Sequence, residues 1–160
     1  SFCLSEPNAG SDVGGITTVY SIEGDEIVIN GSKQWISNGG VASQYTVFAS
    51  KDRQLRNKGL SCIVVPAETP GVSTGEHEDK MGQRCSNTTA VHFENVRVPI
   101  SNLIGKEGEG FLIAMRTLDH TRPGTAIMGV GLARAALEYS REYALERKQL
   151  GNPIAYFKAI

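Results

Sequence analysis

The 160-residue chain lacks any uninterrupted apolar run of the roughly 18 residues that a membrane-spanning helix needs. It also lacks an excess of either charge. Sixteen Lys and Arg stand against seventeen Asp and Glu, for a formal net charge of -1, which leaves no overall electrostatic case for nucleic acid or an anionic membrane surface. Cysteine is scarce. Cys3, Cys62 and Cys85 are odd in number and have no CxxC spacing, which argues against a disulfide framework and leaves reduced, mostly buried thiols of an intracellular protein as the expectation. His77, His92 and His120 have neither metal-ligand spacing nor a recognisable pairing with a cysteine. There is no repeat and no low-complexity tract. An initiator Met, a signal peptide and a transit-like segment are missing too, and the chain stops in the apolar run 155–160, so an excerpt from a longer protein is expected. What is present is ordinary globular material, 40% hydrophobic and 21% charged, enough for a core in one domain or one domain and part of another.

The first two thirds read as β. Residues 17–22 and 26–30 are short runs rich in β-branched side chains with Gly24-Asp25 between them. Asn30-Gly31 follows, a strong two-residue hairpin signal because both residues tolerate positive φ, so residues 33–37 are expected as the third strand of a meander. Further strands are expected at 45–50 and 60–65, separated by a charged surface loop at 51–58. Weaker candidates are 72–77, 88–93 and 96–98. Many short strands at this spacing suggest a barrel or sandwich. The texture changes after Gly105. GKEGEG reads as a linker, a helical pattern starts near Phe111, and Pro123 either kinks that helix or begins a new one. The helical period continues to Leu150, with Gly151 and Pro153 as the stop. Leu132, Ala136, Tyr139 and Tyr143 share a face that is expected to pack into a core, and Arg134, Arg141 and Lys148 fall opposite on a solvated one. One helix with one apolar stripe cannot form a core alone, so its partners are expected from the rest of the protein or from another subunit.

Four stretches carry chemistry: FCLSEPNAGSD at 2–12, KQWISNGG at 33–40, MGQRCSNT at 81–88, and LDHTRP at 118–123 with ERKQLG at 146–151 behind it. In the first, the small, turn-prone PNAGSD follows an apolar segment; it is either a plain connection or a set of N–H groups and hydroxyls that meet a ligand. Ser5 and Ser11 supply hydroxyls that can donate to carbonyl or phosphate oxygens. In the second, Trp35, the one tryptophan, is either core or, with Ser37 and the amides that follow it, a flat wall edged by donors that suits a planar heteroaromatic ring.

In order and spacing, (Y/F)C-x-(S/T)-EP-x-AGSD, WI(S/T)NG, MG-x-R-x-S-x-T, a Val-Pro closure and RK-x-x-G resemble the acyl-CoA dehydrogenases from end to end. MGQRCSNT and LDHTRP look most like the medium-chain branch. The resemblance implies an α+β fragment: an all-β, barrel-like, antiparallel middle domain at 1–105, and the first helices of a C-terminal four-helix bundle at 106–160. It implies that the N-terminal helical domain is absent. It implies FAD as cofactor, approached by Phe2, Leu4, Ser5, Trp35, Ile36 and Ser37, with Ser5 on the flavin's pyrimidine edge, Trp35 over the ring and Ser37 near N5. Arg147 and Gln149 are implied to reach the FAD diphosphate half of a neighbouring subunit, where Arg suits an anion. Ser11, Asp119, Thr121 and Arg122 are implied to touch the CoA portion. Ser5 and Ser37 often appear as Thr in the family, which keeps the hydroxyl, and Leu150 replaces the usual Phe, which touches packing more than chemistry.

The activity so implied is oxidation of an acyl-CoA to the trans-2-enoyl-CoA in fatty-acid β-oxidation, with electron-transferring flavoprotein as acceptor. The assembly implied is a homotetramer built as a dimer of dimers, in the mitochondrial matrix of a eukaryote or the cytoplasm of a bacterium. A carboxylate base removes the α-proton, and donors stabilise the developing enolate. The resemblance implies that this base is a Glu well into the C-terminal bundle, beyond Ile160; some branches use instead the position held here by Thr121, which cannot serve, and Glu138, Glu142 and Glu146 read as ordinary helix-surface acids. No catalytic residue is therefore assigned within the chain. Two rivals carry the same motifs: an acyl-CoA oxidase, and a non-catalytic paralogue that binds flavin or CoA.

Overall fold

The computed structural model describes residues 1–158 and has an α+β fold, a sheet-rich unit followed by a long helix. The chain divides into two compact units, residues 1–115 and 116–160. Eight strands form one sheet: β1 (Phe2–Cys3), β2 (Val19–Glu23), β3 (Glu26–Ser37), β4 (Gln44–Ser50), β5 (Leu60–Pro66), β6 (Val72–Thr74), β7 (Thr88–Pro99) and β8 (Leu103–Ile104). The path runs β6-β7-β3-β2-β4-β5-β8, with β1 beside β4. The pairing is antiparallel except along β4, where β1 and then Val19 of β2 lie parallel to it. β1 and the start of β2 thus lie along the same strand, Phe2 opposite Thr46 and Val19 opposite Ser50. The residues between them are pushed out as one loop.

Alternation along the central strands feeds two cores, one on each face. Tyr45, Val47 and Ala49 of β4 and Ile63 and Val65 of β5 join Ile27, Ile29, Ile36, Val91 and Phe93. The opposite register, Phe48, Leu60 and Cys62, packs with Leu4, Ala9, Ile16 and the helix residues Ile113, Ala114 and Met115. The helix α1 (Gly110–Glu146) starts close against β5; a Cβ at Gly110 would lie 2.7 Å from the Ser61 carbonyl carbon, so only glycine allows that approach. The linker before α1 is anchored by Gly108 N–H to Ser61 Oγ (3.0 Å), Ser61 Oγ to Tyr20 Oη (2.8 Å) and Lys51 Nζ to Glu107 (2.6 Å).

Two expectations about the strands are corrected. Asn30-Gly31 is no turn, because β3 runs through it for 12 residues. The two-residue turn is at Gly24, φ 62°, with Glu23 opposite Glu26. Residues 88–93 and 96–98 are one strand, interrupted by a bulge at Asn95, φ 49°. Asn30 serves that bulge: Asn95 N–H donates to Asn30 Oδ1 (2.8 Å) and Asn30 Nδ2 donates to Asn95 Oδ1 (3.2 Å).

The helical end is corrected too. α1 passes through Pro123 as one helix but stops at Glu146, before Gly151. β9 (Lys148–Gln149) and β10 (Asn152–Pro153) then form a small ribbon around Leu150 and Gly151, φ 50° and 78°. Two successive positive φ values make Gly151 a hairpin residue, not a helix stop. The stripe expected to pack is open: Leu132, Tyr139 and Tyr143 are 74%, 73% and 51% exposed. No helix among the described residues is long and apolar enough to cross a membrane.

Candidate functional site

The site in the first unit grows from a second bulge. On β3, three steps separate Lys33 from Ile36 while β7 advances only two, from Val91 to Thr89. The extra residue falls at Gln34-Trp35, and Trp35 takes φ 55°. A bulky residue held there costs roughly 1–3 kcal/mol. The effect is to turn the indole outward: Trp35 is 60% exposed while Ile36 beside it is buried. An indole packed in the core would have closed this face to any ring.

The loop between β1 and β2 is locked to that bulge. Gln34 N–H donates to the Ser5 carbonyl (2.9 Å), and Ser1 Oγ donates to the Ser37 carbonyl (2.9 Å). Phe2 leans on Phe48 with ring centroids 4.9 Å apart, and Leu4 is buried beneath. The loop at 76–87 closes the other side. Gln34 Nε2 donates to Glu78 (2.6 Å), Asn38 N–H to the Asn87 carbonyl (2.6 Å) and Gly40 N–H to Asn87 Oδ1 (2.8 Å). Three of the stretches singled out in the sequence therefore meet around Trp35. Among the described residues, the hydroxyls of Ser5 and Ser37 make no hydrogen bond. An exposed flat face with unpaired hydroxyls on neighbouring strand ends fits a planar heteroaromatic ring such as a flavin. Ser11 is exposed farther along the same loop, where Asp12 is tied to Arg56 (2.6 Å).

Beneath the loop lie two residues that the sequence reasoning missed. Glu6 and Lys33 form an ion pair of 2.8 Å with side chains 1% and 0% exposed. Lys33 Nζ also donates to the Leu4 carbonyl (3.2 Å). Glu6 Oε2 accepts from Thr17 N–H (2.5 Å) and Thr17 Oγ1 (2.7 Å), and Oε1 accepts from Thr18 N–H (3.0 Å). Burial pushes the Glu6 carboxyl up, but the Lys33 ammonium and these donors outweigh it and hold the carboxyl at about 2. Burial also draws Lys33 below its ordinary value, against the pull of Glu6. The signal was available: both residues lie inside the quoted motifs, one between Ser5 and Pro7, the other just before the tryptophan's strand end. Cys3 and Cys62 are buried free thiols, with Cys3 pushed up to about 12 chiefly by burial, and neither is poised as a nucleophile; Cys85 is free and exposed.

The second unit holds the remaining candidates. Asp119, Thr121 and Arg122 are exposed on one turn of α1. Arg122 pairs with Asp119, and Thr121 Oγ1 donates to the Leu118 carbonyl (3.2 Å). Pro123 lacks the N–H that the Asp119 carbonyl would otherwise accept. Arg147 sits between α1 and β9. Its N–H donates to the Tyr143 carbonyl (2.8 Å), and its own carbonyl accepts from Ile154 N–H (2.8 Å). Its guanidinium has no hydrogen-bond or ion-pair partner among the described residues. Gln149 is exposed on β9, its amide donating to the Lys148 carbonyl (2.8 Å).

Known proteins share this chain's sequence and fold. Residues 1–96 match the family described as acyl-CoA dehydrogenase, middle domain, and residues 108–160 match acyl-CoA dehydrogenase, C-terminal domain. The chain is 47% identical over 157 residues to a short-chain specific acyl-CoA dehydrogenase of Clostridium acetobutylicum, covering 98% of this chain and 41% of that protein. It is 46% identical over 159 residues to the mitochondrial short-chain specific acyl-CoA dehydrogenase of Mus musculus, covering 99% of this chain and 39% of that protein. Among solved structures, butyryl-CoA dehydrogenase from Megasphaera elsdenii superposes with a TM-score of 0.91 at 44% identity, over 98% of this chain and 41% of that one. The chain thus spans about two fifths of the length of the curated relatives it matches.

Proposed function

Because the chain belongs to the acyl-CoA dehydrogenase family, we propose that it is the flavin-facing part of an FAD-dependent enzyme that oxidises an acyl-CoA to the trans-2-enoyl-CoA. The observation that carries this reading is Trp35, turned outward by a costly bulge, with the unpaired hydroxyls of Ser5 and Ser37 on the adjoining strand ends. FAD, when bound, supplies the acceptor for the hydride leaving the β-carbon. The chain's own part is to hold and cover the ring with Phe2, Leu4, Ser5, Trp35, Ile36 and Ser37. Ser11, Asp119, Thr121 and Arg122 bind the CoA portion. Arg147 and Gln149 hold the diphosphate half of FAD in a neighbouring copy, within a dimer of dimers. In this reading residues 1–105 are the middle domain, residues 106–160 begin the helical bundle, and the base that takes the α-proton lies outside the chain. Electrons pass to an electron-transferring flavoprotein in fatty-acid β-oxidation, in the mitochondrial matrix of a eukaryote or the cytoplasm of a bacterium. For chain length, MGQRCSNT and LDHTRP carry the medium-chain likeness, whereas the relatives at 46–47% identity are named for short-chain substrates.

The test is the visible spectrum of the full-length protein with its natural flanking sequence, recorded anaerobically before and after butyryl-CoA and octanoyl-CoA. A flavin spectrum that bleaches is expected, and the acyl-CoA that bleaches it at the lower concentration sets the chain length. Folded protein that takes up no flavin when resupplied with FAD overturns the cofactor reading. A flavin that no acyl-CoA bleaches leaves the non-catalytic paralogue, and rapid recolouring in air replaces the dehydrogenase with an oxidase.

A further inference from the structure

We propose that the buried Glu6–Lys33 pair is a positioning device, setting the distance between the two strand ends that face the flavin; this rests on the flavin reading above. Two charges taken fully out of water are a poor means of stabilising a fold, since an apolar pair of the same volume does as well or better. The bonds around this pair point to a different use. Lys33 is the last regular residue of β3 before the bulge that turns Trp35 outward. Its ammonium reaches the Leu4 carbonyl, next to Ser5, and Glu6 just beyond. Gln34 N–H holds the Ser5 carbonyl between them. Glu6 then grips Thr17 and Thr18, which closes the loop at its far end. The pair therefore joins three segments: the strand end that bears Ser5, the strand end that bears Trp35, and the return of the loop that bears Ser11. An apolar pair would fill the same space but has no directed bonds with which to fix their relative positions. Neither Glu6 nor Lys33 reaches the surface, so neither touches the cofactor.

The experiment uses full-length wild-type protein and the charge-free double variant Glu6→Gln with Lys33→Met. In wild-type protein without cofactor, native-state hydrogen exchange at Thr17, Thr18 and Gln34 is expected to follow one opening event. Adding FAD is expected to slow all three by the same factor. In the double variant the melting temperature is expected within a few degrees of wild type, while exchange across residues 7–17 speeds up at least tenfold and the FAD dissociation constant rises at least tenfold. Wild-type protein that binds FAD while the three amides exchange independently overturns the proposal alone. So does a stable double variant that binds FAD as wild type does. Folded wild-type protein that takes up no FAD overturns the flavin reading, and this proposal with it.

Discussion

Glu6 is the residue whose chemistry most clearly departs from its sequence context. The carboxyl ordinarily near 4.5 is held at about 2, after Lys33 and the Thr17 and Thr18 donors overcome the cost of burial. The folded carboxyl thus holds a proton more weakly than the unfolded one, so protonation draws the chain toward the unfolded state. The contribution is complete above about pH 4.5 and is lost as pH falls to about 2; at 1.36 kcal/mol for each tenfold change in proton affinity it amounts to about 3 kcal/mol. Urea unfolding followed from pH 5 to pH 2 is expected to show this loss, and Glu6→Gln should flatten that acid limb while lowering stability at neutral pH. An acid limb of unchanged slope in Glu6→Gln would remove Glu6 as its source. Residue-level reading of the sequence found Ser5, Trp35 and Ser37 because hydroxyls and an indole advertise ligand chemistry. It passed over Glu6 and Lys33 because isolated charges are usually solvated. Only the fold brings residues 27 positions apart in sequence to 2.8 Å.

Whether a sequence signal acts within one element or between two decided which strand boundaries were legible. Gly24-Asp25 acts locally and was found as a break between strands. Continuous apolar runs such as Leu60 to Val65 were legible because both faces of β5 are buried. Asn30-Gly31 has the composition of a turn but acts across the sheet, with Asn30 supporting the bulge at Asn95 and Gly31 lying against Thr18. A Cβ on Gly31 would stand 2.5 Å from Thr18 Oγ1 and 2.6 Å from Thr18 Cα, at φ 151°, where backbone atoms cannot give way. Gly24 also has a positive φ, 62°, but nothing within 4 Å of a Cβ. The two glycines separate conformational strain from crowding. Gly24→Ala is expected to cost about 1–2 kcal/mol from the left-handed backbone alone. Gly31→Ala is expected to cost about 3 kcal/mol or more, because overpacking adds to backbone strain. Urea midpoints of the two variants decide it; equal losses would mean that the contact with Thr18 is relieved at no cost. The same distinction explains the end of α1. Helical period persists in composition as far as Leu150, yet Leu150 and Gly151 both adopt positive φ and the ribbon of β9 and β10 wins.

For the whole molecule, the contrast between the two units governs stability. The first unit buries its apolar side chains in two cores on either face of a sheet, and the first turns of α1 complete one of them. In the second unit Ile127, Met128, Val130, Leu132, Leu137 and Tyr139 are all more than half exposed in the chain as it stands. Helix stability in proteins comes mainly from packing an apolar face, and Pro123 removes one backbone bond besides. The apolar stripe of the helix was legible from periodicity; how far it would remain open was not, because burial depends on everything packed around it. Local opening should therefore be much easier in the second unit than in the first. In the 160-residue chain, amides at 125–140 are expected to exchange at least 100-fold faster than those of Ile29, Val47 and Ile63, which lie in the sheet with fully buried side chains. On the reading proposed above, a helix bundle covers the same stripe in the full-length protein, and there the difference is expected to shrink. Equal protection of helix and sheet amides in the 160-residue chain, at concentrations too low for self-association, would show that α1 draws its stability from its own backbone, and the covering of its apolar face would then no longer be needed to explain why it is helical.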